Sequence, residues 1–354
     1  MRDYLWASPV GRIRIIEKGL LTRAELGQVL EASSLETALM ALRDSYYGPY
    51  VSKLENPELF ETALQEAVRD AHDGMMGIAP EPLILAAYRA RYDFHNLKVF
   101  LKAQLLAVES EEGAFSKLGN LDKDVFKAVL EATQQGEAVP GPIEPEPEPL
   151  TVSIYEVSLE IARVYRGILE AAAVSELSPF EVDSYIDKAY YAWAETVFRK
   201  HGYQALVRFL QSEIDILNLK MAFRAKRLGI SSYDFGKIVL SGGAISPVSV
   251  AEAYIQGPHD LYKVYKGTEL EGLARRGISL LEKKEPLTQW ERECDNAVVR
   301  IMREAGTVSL GPEPVFGYVF GREIEVRNLR IILSGKQSLV PENEILERLR
   351  ESYA

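Results

Sequence analysis

The sequence predicts an all-α fold made of three related helical units, and three observations carry that expectation. One motif recurs three times at long, similar intervals. Stretches 151–173, 181–200, 205–228 and 286–305 place apolar residues at helical spacing with few internal breakers, while strand-like alternation is scarce. Glycine and proline pairs such as Gly242-Gly243 and Gly311-Pro312 stand where helices would stop rather than inside hairpin signatures.

In chain order, Thr22 with Glu25 ahead of Leu26, Val29 and Leu30 reads as a capping box opening an amphipathic helix. The first copy of the motif follows as Tyr92-Asp93-Phe94-His95-Asn96-Leu97-Lys98-Val99-Phe100-Leu101. The second is Ile214-Asp215-Ile216-Leu217-Asn218-Leu219-Lys220-Met221-Ala222-Phe223, and the third Ile324-Glu325-Val326-Arg327-Asn328-Leu329-Arg330-Ile331-Ile332-Leu333. Each reads acid-x-x-Asn-Leu-base and then an apolar run, with the asparagines 122 and 110 residues apart. A weaker echo marks unit starts: Val29-Leu30-Glu31-Ala32-Ser33 returns 100 residues later as Val129-Leu130-Glu131-Ala132-Thr133.

The second unit is therefore longer than the first by about 22 residues, and the Pro/Glu-rich insertion at 139–150 accounts for much of the excess. Alternating Pro and Glu makes neither helix nor ladder, so an extended, solvated spacer is expected there. A third start falls at Ser246, a cap residue followed by Pro247 at the first helical position. The expected organisation is a helical lead-in at 1–19 and units at 20–119, 120–243 and 244–354, closed on one another rather than strung on linkers.

On a helical wheel Phe94, Leu97, Leu101 and Leu105 share one face, while Val99 and Phe100 point elsewhere. The motif helix is thus apolar on several sides and expected to be central, with Lys98 and Lys102 laying their stems on apolar surface. Asn96, one turn after Asp93, must find partners if buried. Two readings stand for the nine motif residues Asp93, Asn96, Lys98, Asp215, Asn218, Lys220, Glu325, Asn328 and Arg330. They tie neighbouring helices together, or they form a partner contact repeated around an axis; internal satisfaction of buried polar groups favours the first.

Composition excludes several function classes. With 41 Lys plus Arg against 52 Asp plus Glu, the net charge is −11, which argues against a nucleic-acid footprint. Cys294 is the only cysteine, so neither an intramolecular disulfide nor a cysteine-cluster zinc site is available and a reducing compartment is the default. No stretch of about 18 uncharged apolar residues occurs, and Met1-Arg2-Asp3-Tyr4-Leu5-Trp6 lacks a signal-peptide core. The expectation is a cytoplasmic chain without a transmembrane span, able to sit against a membrane partner.

Catalytic chemistry finds little purchase. His72-Asp73 and His259-Asp260 evoke the ligand set of helical metal phosphohydrolases, but no histidine precedes the first pair and His201 lacks a matching context, so surface helix ends are preferred. Phosphate-loop, dinucleotide and nucleophile-elbow signatures are absent. Ser241-Gly242-Gly243 and Ser334-Gly335-Lys336 are expected to be helix ends capped by glycine. Cys294, on a charged helix, reads as incidental. No catalytic residue, metal ligand or cofactor is assigned; a helical scaffold that binds peptides in its concavity is the alternative of a different class.

The motif segments, with Tyr46-Tyr47-Gly48-Pro49-Tyr50, Gly311-Pro312-Glu313-Pro314, Leu219 to Gly229, Leu240 to Gly243, Ser334-Gly335-Lys336 and the ending Glu347-Arg348-Leu349-Arg350-Glu351-Ser352-Tyr353, resemble the C subunits of archaeal and bacterial V/A-type ATPases, relatives of the d subunits of eukaryotic V-ATPases. The likeness runs over nearly the whole chain. It implies a funnel with pseudo-threefold symmetry and no active site of its own. It also implies a place in the rotor between the central shaft subunits and the membrane proteolipid ring, with the membrane stator subunit as a further neighbour, on the cytoplasmic face. The Pro/Glu insertion departs from the family's more compact pattern.

Overall fold

The computed structural model describes residues 3–106, 114–142 and 147–354. Among the described residues there are helices and turns and no β-strand, so the fold is all-α as the sequence predicts. The chain divides into two compact units, one holding 1–80 with 275–354 and the other 81–274.

The first unit opens with α1 (Ala7–Ile16), α2 (Arg23–Glu31), α3 (Leu35–Ala41), α4 (Gly48–Val51) and α5 (Phe60–Met76). The expected capping box starts α2: the Thr22 hydroxyl accepts the Glu25 N–H, and the Glu25 carboxylate accepts the Thr22 N–H at 2.8 Å. Helix α5 buries Ala63, Leu64, Ala67, Val68, Ala71, His72 and Met75, the three- and four-residue spacing of one helical stripe.

The second unit comprises α6 (Pro82–Arg89), α7 (Arg91–Leu106), α8 (Lys123–Gln135), α9 (Pro149–Val174), α10 (Pro179–His201), α11 (Gln204–Leu228), α12 (Ser232–Ile238), α13 (Pro247–Gln256) and α14 (Pro258–Tyr265). Phe94, Leu97 and Leu101 of α7 are buried, and α7 packs on α6, α9 and α10, with the Phe94 and Tyr190 rings edge to face at 5.4 Å. The fourth residue of that face, Leu105, has a side chain outside the described ones. Lys98 and Lys102 do lie half-buried, and each ends on an acid of α10, Asp187 and Asp183.

Within the Pro/Glu insertion, 139–142 and 147–148 are non-helical and 143–146 lie outside the described residues. Helix α9 already begins at Pro149, because proline at the first helical position forfeits no hydrogen bond. Helix α13 starts at Pro247 as expected, although the Ser246 hydroxyl makes no capping bond.

The chain returns to the first unit within α15 (Glu271–Glu282), followed by α16 (Thr288–Gly306), α17 (Glu313–Gln337) and α18 (Glu342–Leu346). Helix α17 is the axis of this unit, packing on α1, α2, α3, α5, α16 and α18. Phe316, Phe320, Ile324, Leu329, Ile332 and Leu333 are buried around its circumference, as an all-round apolar helix requires.

Two glycine assignments change. Gly335 lies inside α17, two residues before its end, and a Cβ there would sit 2.6 Å from Ile345 Cδ1, so glycine serves a close helix contact rather than a cap. Gly242-Gly243 follow α12, while α11 is capped by Gly229 at φ +69°.

Candidate functional site: the buried acid and asparagine pairs

The motif positions Asp93 and Asn96 stand on α7, Asp215 and Asn218 on α11, and Glu325 and Asn328 on α17. Three residues apart, acid and amide share a helix face one turn from each other. All six are buried, the three asparagines completely.

Each asparagine holds one residue of a following segment by both of its backbone groups. Asn96 Oδ1 accepts the Ser116 N–H at 2.7 Å while Nδ2 donates to the Ser116 carbonyl at 3.0 Å. Asn218 makes the same pair with Leu240 at 2.8 and 2.9 Å, and Asn328 with Arg350 at 2.9 and 3.1 Å. The held residue lies 20, 22 and 22 positions downstream. A side-chain amide carries the donor and acceptor of a peptide unit, so Asn imitates a neighbouring backbone where Asp would lack the donor and Leu both groups.

The acids hold a second point. Asp93 accepts the backbone N–H groups of Asn120 and Leu121, both at 2.9 Å, and the Asn120 side-chain amide at 2.8 Å. Asp215 accepts the N–H groups of Ala244 at 3.0 Å and Ile245 at 3.2 Å. Glu325 accepts the Leu21 N–H, the Tyr47 hydroxyl at 2.8 Å and Arg322 Nη1 at 2.8 Å. Burial pushes the Asp93 and Asp215 carboxyls up to about 6 although their N–H donors favour the charged form. Burial likewise raises Glu325, with Arg322 and Tyr47 pulling the other way.

Sequence reasoning missed the backbone residues that the acids hold, yet a signal was present. Gly19-Leu20-Leu21-Thr22, Gly119-Asn120-Leu121-Asp122 and Gly243-Ala244-Ile245-Ser246 share glycine, a variable residue, an aliphatic residue and a helix cap. At two of the three the glycine has a steric cause: a Cβ would lie 2.5 Å from Asp93 Oδ1 at Gly119 and 2.0 Å from Asp215 Oδ1 at Gly243, whereas at Gly19 it would meet only Arg322 Nη2 at 3.5 Å.

The basic motif positions do something else. Lys98 pairs with Asp187, Arg330 makes two bonds to the Glu61 carboxylate, and Lys220 is half-buried. Of the paired His-Asp dipeptides, His72 is not a surface helix end: it is buried in α5 and bonded to Glu323 of α17 at 2.8 Å. His259 stands in the first turn of α14. Among the described residues no group of three His, Cys, Asp or Glu side chains is placed to hold a metal ion, and no helix is long and apolar enough to cross a membrane.

The family model described as "ATP synthase (C/AC39) subunit" matches residues 9–348. The C subunit of the A-type ATP synthase of Methanocaldococcus jannaschii is 26% identical over 349 residues, spanning 94% of this chain and 83% of that protein. The C subunit of the V-type sodium ATPase of Enterococcus hirae is 23% identical over 352 residues, 99% of both chains. Its counterpart in the A-type ATP synthase of Haloquadratum walsbyi is 24% identical over 331 residues, 92% of this chain and 89% of that protein. The matched region contains all three acid and asparagine pairs, and the resemblance seen in the sequence is borne out: the chain belongs to the C/AC39 subunit family of ATP synthases.

Proposed function

We propose that this chain is a non-catalytic rotor subunit of a V/A-type ATPase or ATP synthase, joining the central shaft subunits to the membrane proteolipid ring on the cytoplasmic face. In this role it passes torque between ATP chemistry in the soluble head and ion movement in the membrane, with the membrane stator subunit beside it. The observation that carries the reading is family membership over 9–348, with relatives named as the C subunits of A-type and V-type complexes.

The buried pairs support the mechanical half. A torque coupler needs helices that keep their register, and the motif residues spend buried carboxylates and amides on backbone groups. In this reading units 20–119, 120–243 and 244–354 form a pseudo-threefold body, and the net charge of −11 makes assembly with basic surfaces salt-sensitive.

The experiment is reconstitution: purify the chain with the shaft subunits and, separately, with the detergent-solubilised ring. Binding to both, with no ATPase activity of the chain alone, is expected. If folded partners form neither complex, the rotor reading is wrong.

A further inference from the structure

Two of the three acid and asparagine pairs hold a single continuous connector. Asn96 and Asp93 grip Ser116 and Asn120–Leu121, and Asn218 and Asp215 grip Leu240 and Ala244–Ile245. On α17 the same two positions grip residues that are not neighbours in the sequence. Asn328 holds Arg350, 22 residues downstream, while Glu325 holds Leu21, 304 residues away. Yet Gly19-Leu20-Leu21-Thr22 carries the same pattern of glycine, aliphatic residue and cap as the distal halves of the continuous connectors.

We propose that residues 350–353 and 17–22 are the two halves of a split third connector, and that Glu325, Arg322 and Tyr47 form the lock that fastens the second half to α17. The lock is a conformational device made of contacts inside one unit, and it does not depend on the rotor reading.

The continuous connectors carry their own tether. Once the asparagine holds one end, the acid meets the other a few residues on, and little closure entropy remains to be overcome. The split connector has no such short tether: residues 17–22 reach α17 only by way of α1 and α2, which pack on it, so polar groups on α17 must fasten Leu21 itself. That is where the extra groups stand. Arg322, 1% exposed, donates Nη1 to Glu325 and Nη2 to the Gly19 carbonyl at 3.0 Å, and its guanidinium lies 3.8 Å from the centre of the Tyr46 ring. Tyr47, fully buried, gives its hydroxyl to Glu325 Oε2, the oxygen that also accepts Arg322, while Oε1 accepts the Leu21 N–H. Glu325 thus accepts a backbone N–H, a phenol and a guanidinium, and both ends of the charge pair are desolvated. Such a pair is hard to break one partner at a time, since the survivor is left as a buried, uncompensated charge.

The other half is clasped by α16. Arg303 donates to the Ser352 and Tyr353 carbonyls, Asn296 accepts the Glu351 N–H at 2.9 Å, and Arg300 pairs with Glu351 at 2.7 Å. Arg350 Nη2 reaches Asp295 of the same helix at 3.0 Å.

The test is hydrogen exchange of the full chain without partners, comparing peptides over 17–22, 117–122 and 241–246. Glu325→Gln removes the counter-charge of Arg322, and exchange at 17–22 should accelerate by about tenfold or more with the other two connectors unchanged. Asp215→Asn should accelerate 241–246 and leave 17–22 alone. Should Glu325→Gln fail to fold, Tyr47→Phe, which deletes one hydroxyl, decides the matter by a smaller acceleration confined to 17–22. Unchanged exchange at 17–22, or equal acceleration of all three connectors, overturns the lock. Because no partner is present, either outcome leaves shaft and ring binding to be judged separately.

Discussion

Asn218→Ala isolates what one amide does. Asn218 is 0% exposed and Leu240, which it holds, 4%. Both bonds to Leu240, at 2.8 and 2.9 Å, vanish in the variant, leaving one buried N–H and one buried C=O without partners. Orphaning a buried polar group costs about 1–3 kcal/mol, so two of them, less the desolvation no longer spent on the amide itself, bring the loss to about 2–4 kcal/mol. Local exchange of 239–245 should rise by roughly 30- to 900-fold, and the urea midpoint of the second unit should fall with an unchanged slope. An unchanged midpoint together with failed rotor assembly would refute the tie and restore the view that the asparagine is a partner contact.

The buried carboxyls give a pH dependence with a definite sign. Asp93 and Asp215 have folded values of about 6 against an ordinary 3.8, so the folded state binds these protons more tightly. Their contribution is full below about pH 4 and is lost as pH rises through 6, by at most about 3 kcal/mol each. The second unit should therefore melt higher at pH 5 than at pH 7, and Asp215→Asn should flatten that difference; a steeper profile in the variant would contradict the assignment. Gly243→Ala places a Cβ 2.0 Å from Asp215 Oδ1 and should cost about 1–3 kcal/mol in denaturant titration. Gly236→Ala, inside α12 with nothing within 4 Å of the new methyl, should stabilise by about 0.5–1 kcal/mol. Thr22→Ala removes the α2 capping box and should lower stability by about 1 kcal/mol.

What could be read in the sequence was local or periodic. The cap at Thr22, the proline start at Pro247 and the long amphipathic helices all follow from short-range rules, and the motif announced itself by repetition. The destinations of the motif side chains could not be read, because Asn218 and Leu240 are joined across 22 residues and Glu325 and Leu21 across 304. Hydrophobic period says which face is buried, not which backbone meets it. His72 shows the same limit: its buried partner, Glu323, is 251 residues away, and a dipeptide pattern carries no trace of it. The connector glycines were legible in principle, since Gly119 and Gly243 are dictated by carboxylates lying where a Cβ would stand.

The asparagine clamps also decide how such a body fails. Helices held only by ridges packed into grooves can jump one turn past one another into an alternative register. A helix pinned through an amide to one backbone residue cannot shift its register without breaking both bonds together. Under sustained shear, α11 and α17 therefore resist creep and give way by abrupt fracture at the pin.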